Sequence, residues 1–147
     1  MKIKTGLILC AGFGKRVQPI TDTLPKPLIV YKNITLLENT INFLIKLKID
    51  KIKINVFYLK DQITSFIKNK NFSVNIEIID DGETILGTGG GILNLIKSSE
   101  EDDALVINPD TIWDNSYISS INKMEEIYFE KKIKNILLIV NNSSCFD

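Results

Sequence analysis

Residues 7–16 read Leu7-Ile8-Leu9-Cys10-Ala11-Gly12-Phe13-Gly14-Lys15-Arg16, and the fold turns on how this stretch is read. Leu7-Ile8-Leu9 is a short apolar run of the kind that forms a buried strand. It breaks into a loop marked by two glycines. Such a loop, directly after a strand, lets backbone N–H groups come close to an anion. Lys15, Arg16 and then Lys26, in Pro25-Lys26-Pro27, bring positive charge to the same end of the strand. Lysine and arginine together number 18, and Arg16 is the one arginine. A guanidinium kept for the glycine loop suggests a planar fork on phosphate oxygens. The competing reading is an arginine that merely falls in a loop.

Outward from this stretch, strands and helices alternate. Strand candidates are Thr5–Leu9, Ile52–Phe57, Val74–Ile79, Ala104–Asn108 and Ile136–Val140, each short, apolar and largely β-branched. Helix candidates are Leu36–Lys48, Lys60–Lys68, Gly91–Lys97 and Ser116–Phe129. Leu37, Ile41, Leu44 and Ile45 recur at helical spacing in the first. The alternation predicts a Rossmann-like, three-layer α/β/α fold with a mainly parallel sheet. Ligands of such sheets collect at the carboxyl ends of the strands. The glycine loop, the Thr88–Gly91 loop and Asp110 can all meet there.

The length of 147 residues fits one domain, 1–147, and 44% hydrophobic content fits an ordinary core. A net charge of zero gives no global sign of nucleic acid or an anionic membrane as partner. The absence of histidine excludes Ser-His-Asp triads, Cys-His pairs and imidazole acid–base chemistry. Any metal must be held mainly by oxygen, which favours a hard cation such as magnesium. Cys10 and Cys145 form neither a metal spacing nor a disulfide framework, so a reducing cytoplasm is expected. The apolar run Gly6–Cys10 is too short for a secretory signal core, and no run reaches the roughly 18 apolar residues of a membrane span. The acidic cluster Glu100–Asp103 reads as a solvated turn.

Two other phosphate motifs fail at named positions. A dinucleotide fingerprint needs a third glycine where Val17 stands, which leaves a dinucleotide-dependent oxidoreductase as a minor alternative. A P-loop needs Ser or Thr where Arg16 stands. The stretch instead resembles the signature of the sugar-1-phosphate nucleotidyltransferases, L-A-x-G-x-G-x-R followed by T-x-x-x-P-K-P. Here the matching residues are Leu9 to Arg16 and Thr21 to Pro27, with Cys10 in place of the usual alanine. The resemblance implies a fold of the nucleotide-diphospho-sugar transferase type. It also implies that Leu9, Ala11, Gly12, Phe13, Gly14, Lys15, Arg16 and Lys26 bind nucleotide, with Arg16 and Lys26 catalytic.

Later segments extend the likeness. Asp81, in Asp80-Asp81-Gly82-Glu83, and Thr88-Gly89-Gly90 are implied to contact the nucleotide, the glycines admitting a flat base against the backbone. A helix-entry turn is the competing reading of these glycines. Thr88-Gly89-Gly90-Gly91 looks like the branch that makes UDP-N-acetylmuramate, although Gly87 replaces a frequent glutamate. Mannose- or heptose-1-phosphate guanylyltransferase is the alternative. Asn108-Pro109-Asp110 is similar to the segment whose aspartate binds magnesium, so Asp110 is the implied metal ligand. Asp114 reads as a cap of the following helix and Trp113 as packing. Asn55 could touch nucleotide or satisfy a loop backbone; Phe57 reads as core.

The implied activity joins a nucleoside triphosphate, UTP by preference, to a sugar 1-phosphate with release of pyrophosphate. Nucleotide-sugar synthesis and peptidoglycan recycling are the implied settings. The likeness runs from Leu7 to about Val140. It covers the nucleotide half of the family's domain, and the expectation is a chain cut short of its sugar-binding half and of a second metal aspartate. A nucleotide-binding module without turnover, or half of a two-chain assembly, is the reading from another class.

Overall fold

The chain runs β1 (Thr5–Leu9), β2 (Val30–Tyr31), β3 (Ile34–Thr35), α1 (Leu36–Lys46), β4 (Lys51–Val56), α2 (Lys60–Asn69), β5 (Asn75–Asp80), α3 (Gly87–Lys97), β6 (Ala104–Ile107) and α4 (Ser116–Lys131). The structure is a computed structural model that describes residues 2–98 and 103–139. Residues 3–113 form one compact unit with the sheets and α1 to α3, and α4 belongs to a second. Among the described residues no helix is long and apolar enough to cross a membrane.

Four strands form one sheet in the order β5-β4-β1-β6, every neighbouring pair parallel. Parallel partners in register share a face. Gly6, paired with Ile52, faces α1. A Cβ on Gly6 would lie 2.9 Å from Leu44 Cδ1, so only a bare glycine lets the helix sit this close. Lys53 and Asn55 point to the opposite face, where they reach Ser98 and α3. Helices therefore cover both faces, and Leu7, Ile8, Ile52, Ile54, Leu37, Ile41 and Leu44 are sealed between the layers. This is the expected α/β/α arrangement.

Helix α1 starts where Thr35 Oγ1 accepts the Glu38 N–H at 3.1 Å, the Thr-x-x-Glu order of a capping box. It stops where Lys48 turns to φ 61° and Ile49 N–H reaches back to Leu44 O. Lys53 is fully buried, yet its ammonium is not orphaned. It donates to the carbonyl and hydroxyl oxygens of Ser98 at the end of α3 and lies 3.4 Å from Glu77. A cation suits a helix carboxyl end.

The chain passes from β1 outward through β4 to β5, then returns to β6 on the other side of β1. The carboxyl end of β1 is thus the switch point, where an open α/β sheet leaves a crevice.

Several expectations need correction. Residues 136–139 carry no strand; Val140 and, Asp103 apart, the acidic cluster at 100–103 lie outside the described residues, as does Cys145. Helix α3 begins at Gly87 rather than Gly91, so the glycine run is helix and not loop. A two-strand hairpin, β2 with β3, precedes α1. Phe57 is half-buried beside Phe13 and lies outside the core.

Candidate active site

Each strand end contributes one wall. Past β1, Cys10 and Ala11 are still buried, and burial pushes the Cys10 thiol far above its ordinary value, which removes it as a nucleophile. At Gly12 an added Cβ would meet nothing within 4 Å, so the space above this backbone is open to a ligand. Gly14 is different. Its φ is +65°, and an added Cβ would lie 2.8 Å from Thr21 Cγ2 and 3.2 Å from Lys26 Cβ. The Thr21 hydroxyl donates to Gly14 O at 2.9 Å, and Tyr58 OH donates to Thr21 O at 3.0 Å. The loop is braced from behind and bare in front.

Lys26 opens a single 3-10 turn whose Pro27 and Leu28 are buried. That anchor sends its side chain over the carboxyl end of β6, where Nζ lies 2.6 Å from Asp110 Oδ2. Asp110 is held in turn by its neighbours. Asn39 accepts the Trp113 N–H at 3.0 Å, the indole N–H donates to Asn108 O at 2.9 Å, and the Trp113 ring stacks on Phe43 at 5.4 Å. Trp113 is thus a packing residue, as expected. Asp114 accepts the Ser116 N–H at 2.8 Å at the start of α4.

Between these walls lies a cleft of about 400 Å³. Leu9, Ala11, Gly12, Gly14, Lys15, Arg16 and Lys26 line one side; Asn108 and Asp110 another; Ile85, Gly87 and Thr88 a third. The Arg16 guanidinium is exposed and meets no acceptor among the described residues. Arg16, Lys26 and Asp110 share this one rim.

Four expected contact residues fall elsewhere. Phe13 packs edge-on to Phe57 at 5.9 Å and tilted on Tyr58 at 5.2 Å, with Lys15 Nζ 5.5 Å from its ring, and does not line the cleft. Gly89 and Gly90 also lie off the lining. A Cβ at Gly90 would press on Leu86 Cβ at 2.8 Å, whereas Gly89 faces open space. Asp81 is buried, with one carboxylate oxygen 2.9 Å from Asn55 Nδ2 and the other 2.9 Å from Asn94 Nδ2. Asn55, 2% exposed, also accepts the Cys10 N–H at 2.9 Å. Satisfying loop backbone is therefore one of its jobs. The signal for this was in the sequence: a lone amide at the end of an apolar strand.

Beside Asp81, Asp80 pairs with Lys60 at 2.6 Å and accepts the Gly82 N–H at 3.0 Å. Lys60 first, then the Gly82 amide, holds the Asp80 carboxyl below its usual range. A depressed folded pKa contributes stability that is present above the ordinary carboxylate value and lost as pH falls through the folded one. Asp80→Asn should therefore flatten the loss of stability below about pH 4. The side chain is nearly half exposed, so the effect is small. Urea unfolding between pH 3 and 6 reads it, and an unchanged slope would exclude Asp80 as a contributor.

Among the described residues no three Cys, Asp or Glu side chains are placed to hold a metal ion together. The donor set at the cleft is one carboxylate, Asp110. That does not make an all-protein metal cage. It does fit a hard cation carried by phosphate oxygens with one protein carboxylate.

Residues 5–145 match the nucleotidyl transferase family. The chain belongs to that family. Among curated nucleotidyl transferase relatives, the bifunctional protein GlmU of Methanococcus aeolicus is 35% identical over 95% of this chain and 31% of its own length. The N-acetylmuramate alpha-1-phosphate uridylyltransferase of Caulobacter vibrioides is 29% identical over 75% of this chain and 47% of its own. The crystal structure of HddC from Yersinia pseudotuberculosis superposes with a TM-score of 0.69 at 29% identity, over 82% of this chain and 54% of that one. HddC has also been solved complexed with GMP-PN. The chain thus spans about half, or less, of the length of the relatives it matches.

Proposed function

We propose that this nucleotidyl transferase chain holds a nucleoside triphosphate in the β1–β6 cleft for transfer of its nucleotidyl group to a sugar 1-phosphate, with release of pyrophosphate. The observation that supports this most is the meeting of Arg16, Lys26, Asp110 and the open backbone at Gly12 around one cleft. In the proposed reaction a phosphate-monoester oxygen attacks the α-phosphorus in line, the new P–O bond forms, and the bond to pyrophosphate breaks. The attacking oxygen is already anionic, so no general base is needed, consistent with a cleft that has no histidine. The protein's part is positioning and charge stabilisation. The loop amides and the Arg16 fork hold phosphate oxygens, and Lys26 offsets the charge that gathers on the α- and β-phosphates. Magnesium, when bound with the nucleotide, would neutralise further phosphate charge, and Asp110 is the residue to hold it.

UTP is the proposed nucleotide and N-acetylmuramate 1-phosphate the proposed acceptor, on the strength of Thr88-Gly89-Gly90-Gly91 at the head of α3 and of the Caulobacter relative's name. Guanine is the alternative, favoured by the HddC complex. Calorimetry with UTP and GTP in magnesium, run beside a pyrophosphate-release assay with N-acetylmuramate 1-phosphate, tests the proposal. Tighter binding of UTP with release is expected. Binding without release with any sugar 1-phosphate would leave a nucleotide-holding module, and no binding of either nucleotide would overturn the reading.

A further inference from the structure

We infer that Asn55, which itself lines the cleft, and Asp81 behind it form a polarity relay that sets the anion-facing backbone of the glycine loop. Both are positioning residues, and the inference rests on the proposed nucleotide site. Asn55 stands at the end of β4 and is 2% exposed. One side of its amide faces the Cys10 N–H, which can only donate, and the other faces the Asp81 carboxylate, whose ionised form can only accept. These partners admit one orientation: Oδ1 towards Cys10 at 2.9 Å and Nδ2 towards Asp81 at 2.9 Å. Asn94 of α3 closes the chain by donating to the second Asp81 oxygen at 2.9 Å.

The site is shaped around the amide. An added Cβ on Gly91 would lie 2.6 Å from Asn55 Nδ2, so α3 can pass over Asn55 only with glycine there. Asp81 is fixed to the same strand by its own N–H, which donates to Val56 O at 2.9 Å. The bond at Cys10 matters because Cys10 is where the chain leaves β1 for Gly12 and Gly14. Anchoring its N–H ties the first residue of the loop to a fully packed strand. The relay also connects the head of α3, which carries Thr88 at the cleft, to the loop on the opposite wall. Asp81 does not line the cleft and acts through Asn55, which does.

Polarity makes the test sharp. Asn55→Asp keeps shape but sets two carboxylates 2.9 Å apart, in place of an amide on a carboxylate. Asp81→Asn alone keeps the bond from Asn55, and Asn94 can turn its amide to present an oxygen at the cost of one long bond, from Nδ2 to Asp80 O at 3.3 Å. The pair Asn55→Asp with Asp81→Asn remakes every bond: position 55 accepts from the Cys10 N–H and from the new amide at 81, which accepts from Asn94.

Calorimetry with magnesium-UTP on the 147-residue chain, with melting by circular dichroism and hydrogen exchange of residues 10–14, reads the three variants. Asn55→Asp should weaken UTP binding by about 10-fold or more and speed exchange at residues 10–14, with charge repulsion at a buried site as the cause. Asp81→Asn should stay within about 3-fold of the parent, and the double variant should return to within about 3-fold. UTP affinity unchanged in Asn55→Asp overturns the relay. So does a folded double variant that stays as weak as Asn55→Asp. If Asn55→Asp does not fold, recovery of both folding and affinity in the double variant supports the relay. If the parent chain binds no nucleotide, the proposed function fails, and the relay stands or falls on exchange at residues 10–14 alone: faster in Asn55→Asp, or in Asp81→Ala should that variant not fold, and restored in the double variant.

Discussion

In the proposed reaction, Lys26→Ala should lower pyrophosphate release by about 10²-fold or more, the expected loss when a charge aimed at the transition state is removed. Lys26 is well suited to that task. The prolines on both sides restrict its backbone, and the buried Pro27 and Leu28 fix its turn. Its ammonium is pre-placed at 2.6 Å from Asp110 and so does little searching. The pair is part-exposed, so breaking it costs little stability, and the melting temperature should stay near that of the parent. Lys26→Arg keeps the charge but not the compact ammonium, and should recover only part of the rate. The measurement is steady-state release of pyrophosphate with nucleotide saturating. A Lys26→Ala variant that turns over at the parent rate would remove Lys26 from the reaction.

The second large effect separates two glycines that look alike in the sequence. Gly14→Ala should destabilise the chain by about 2–4 kcal/mol, the sum of a left-handed backbone forced on a residue with a Cβ and of overpacking against Thr21 and Lys26. Nucleotide affinity should fall with it, since Lys26 Cβ is one of the atoms that must move. Gly12→Ala has no such clash and no left-handed backbone. Its melting should be unchanged while nucleotide affinity drops, because the new methyl projects into the space a phosphate would use. Denaturant unfolding and calorimetry on both variants read the two outcomes. Equal destabilisation by the two changes would contradict this division of roles.

Much of the architecture was legible because periodicity carries it. The apolar runs at 5–9, 51–56, 75–80 and 104–107 became strands within a residue of expectation, and parallel pairing followed from the helices between them. The gathering of Arg16, Lys26 and Asp110 was legible for a different reason: strand carboxyl ends meet at a switch point whatever the details.

What sequence reading missed depended on tertiary contact. Glycine is a poor helix former, yet Gly87–Gly91 is helical, and at Gly91 the helix passes over Asn55 with no room for a Cβ. Asp81 resembled a ligand contact by its place in a motif, but Asn55 and Asn94 claim both of its oxygens. Phe13 sits in the loop's signature, but its ring is drawn to Phe57 and Tyr58, which no local pattern links to it. The apolar run at 136–139 has strand composition, and composition alone does not supply a partner.

The central place of β1 bears on how the protein is made. Thr5 must pair with Lys51 on one side and Ala104 on the other, the latter about a hundred residues along the chain. The glycine loop leaves the ribosome early, and the strand end bearing Asp110 emerges much later. Under the proposed function, competence to grip a polyphosphate waits for β6, and nascent chains halted before it should be blind to nucleotide.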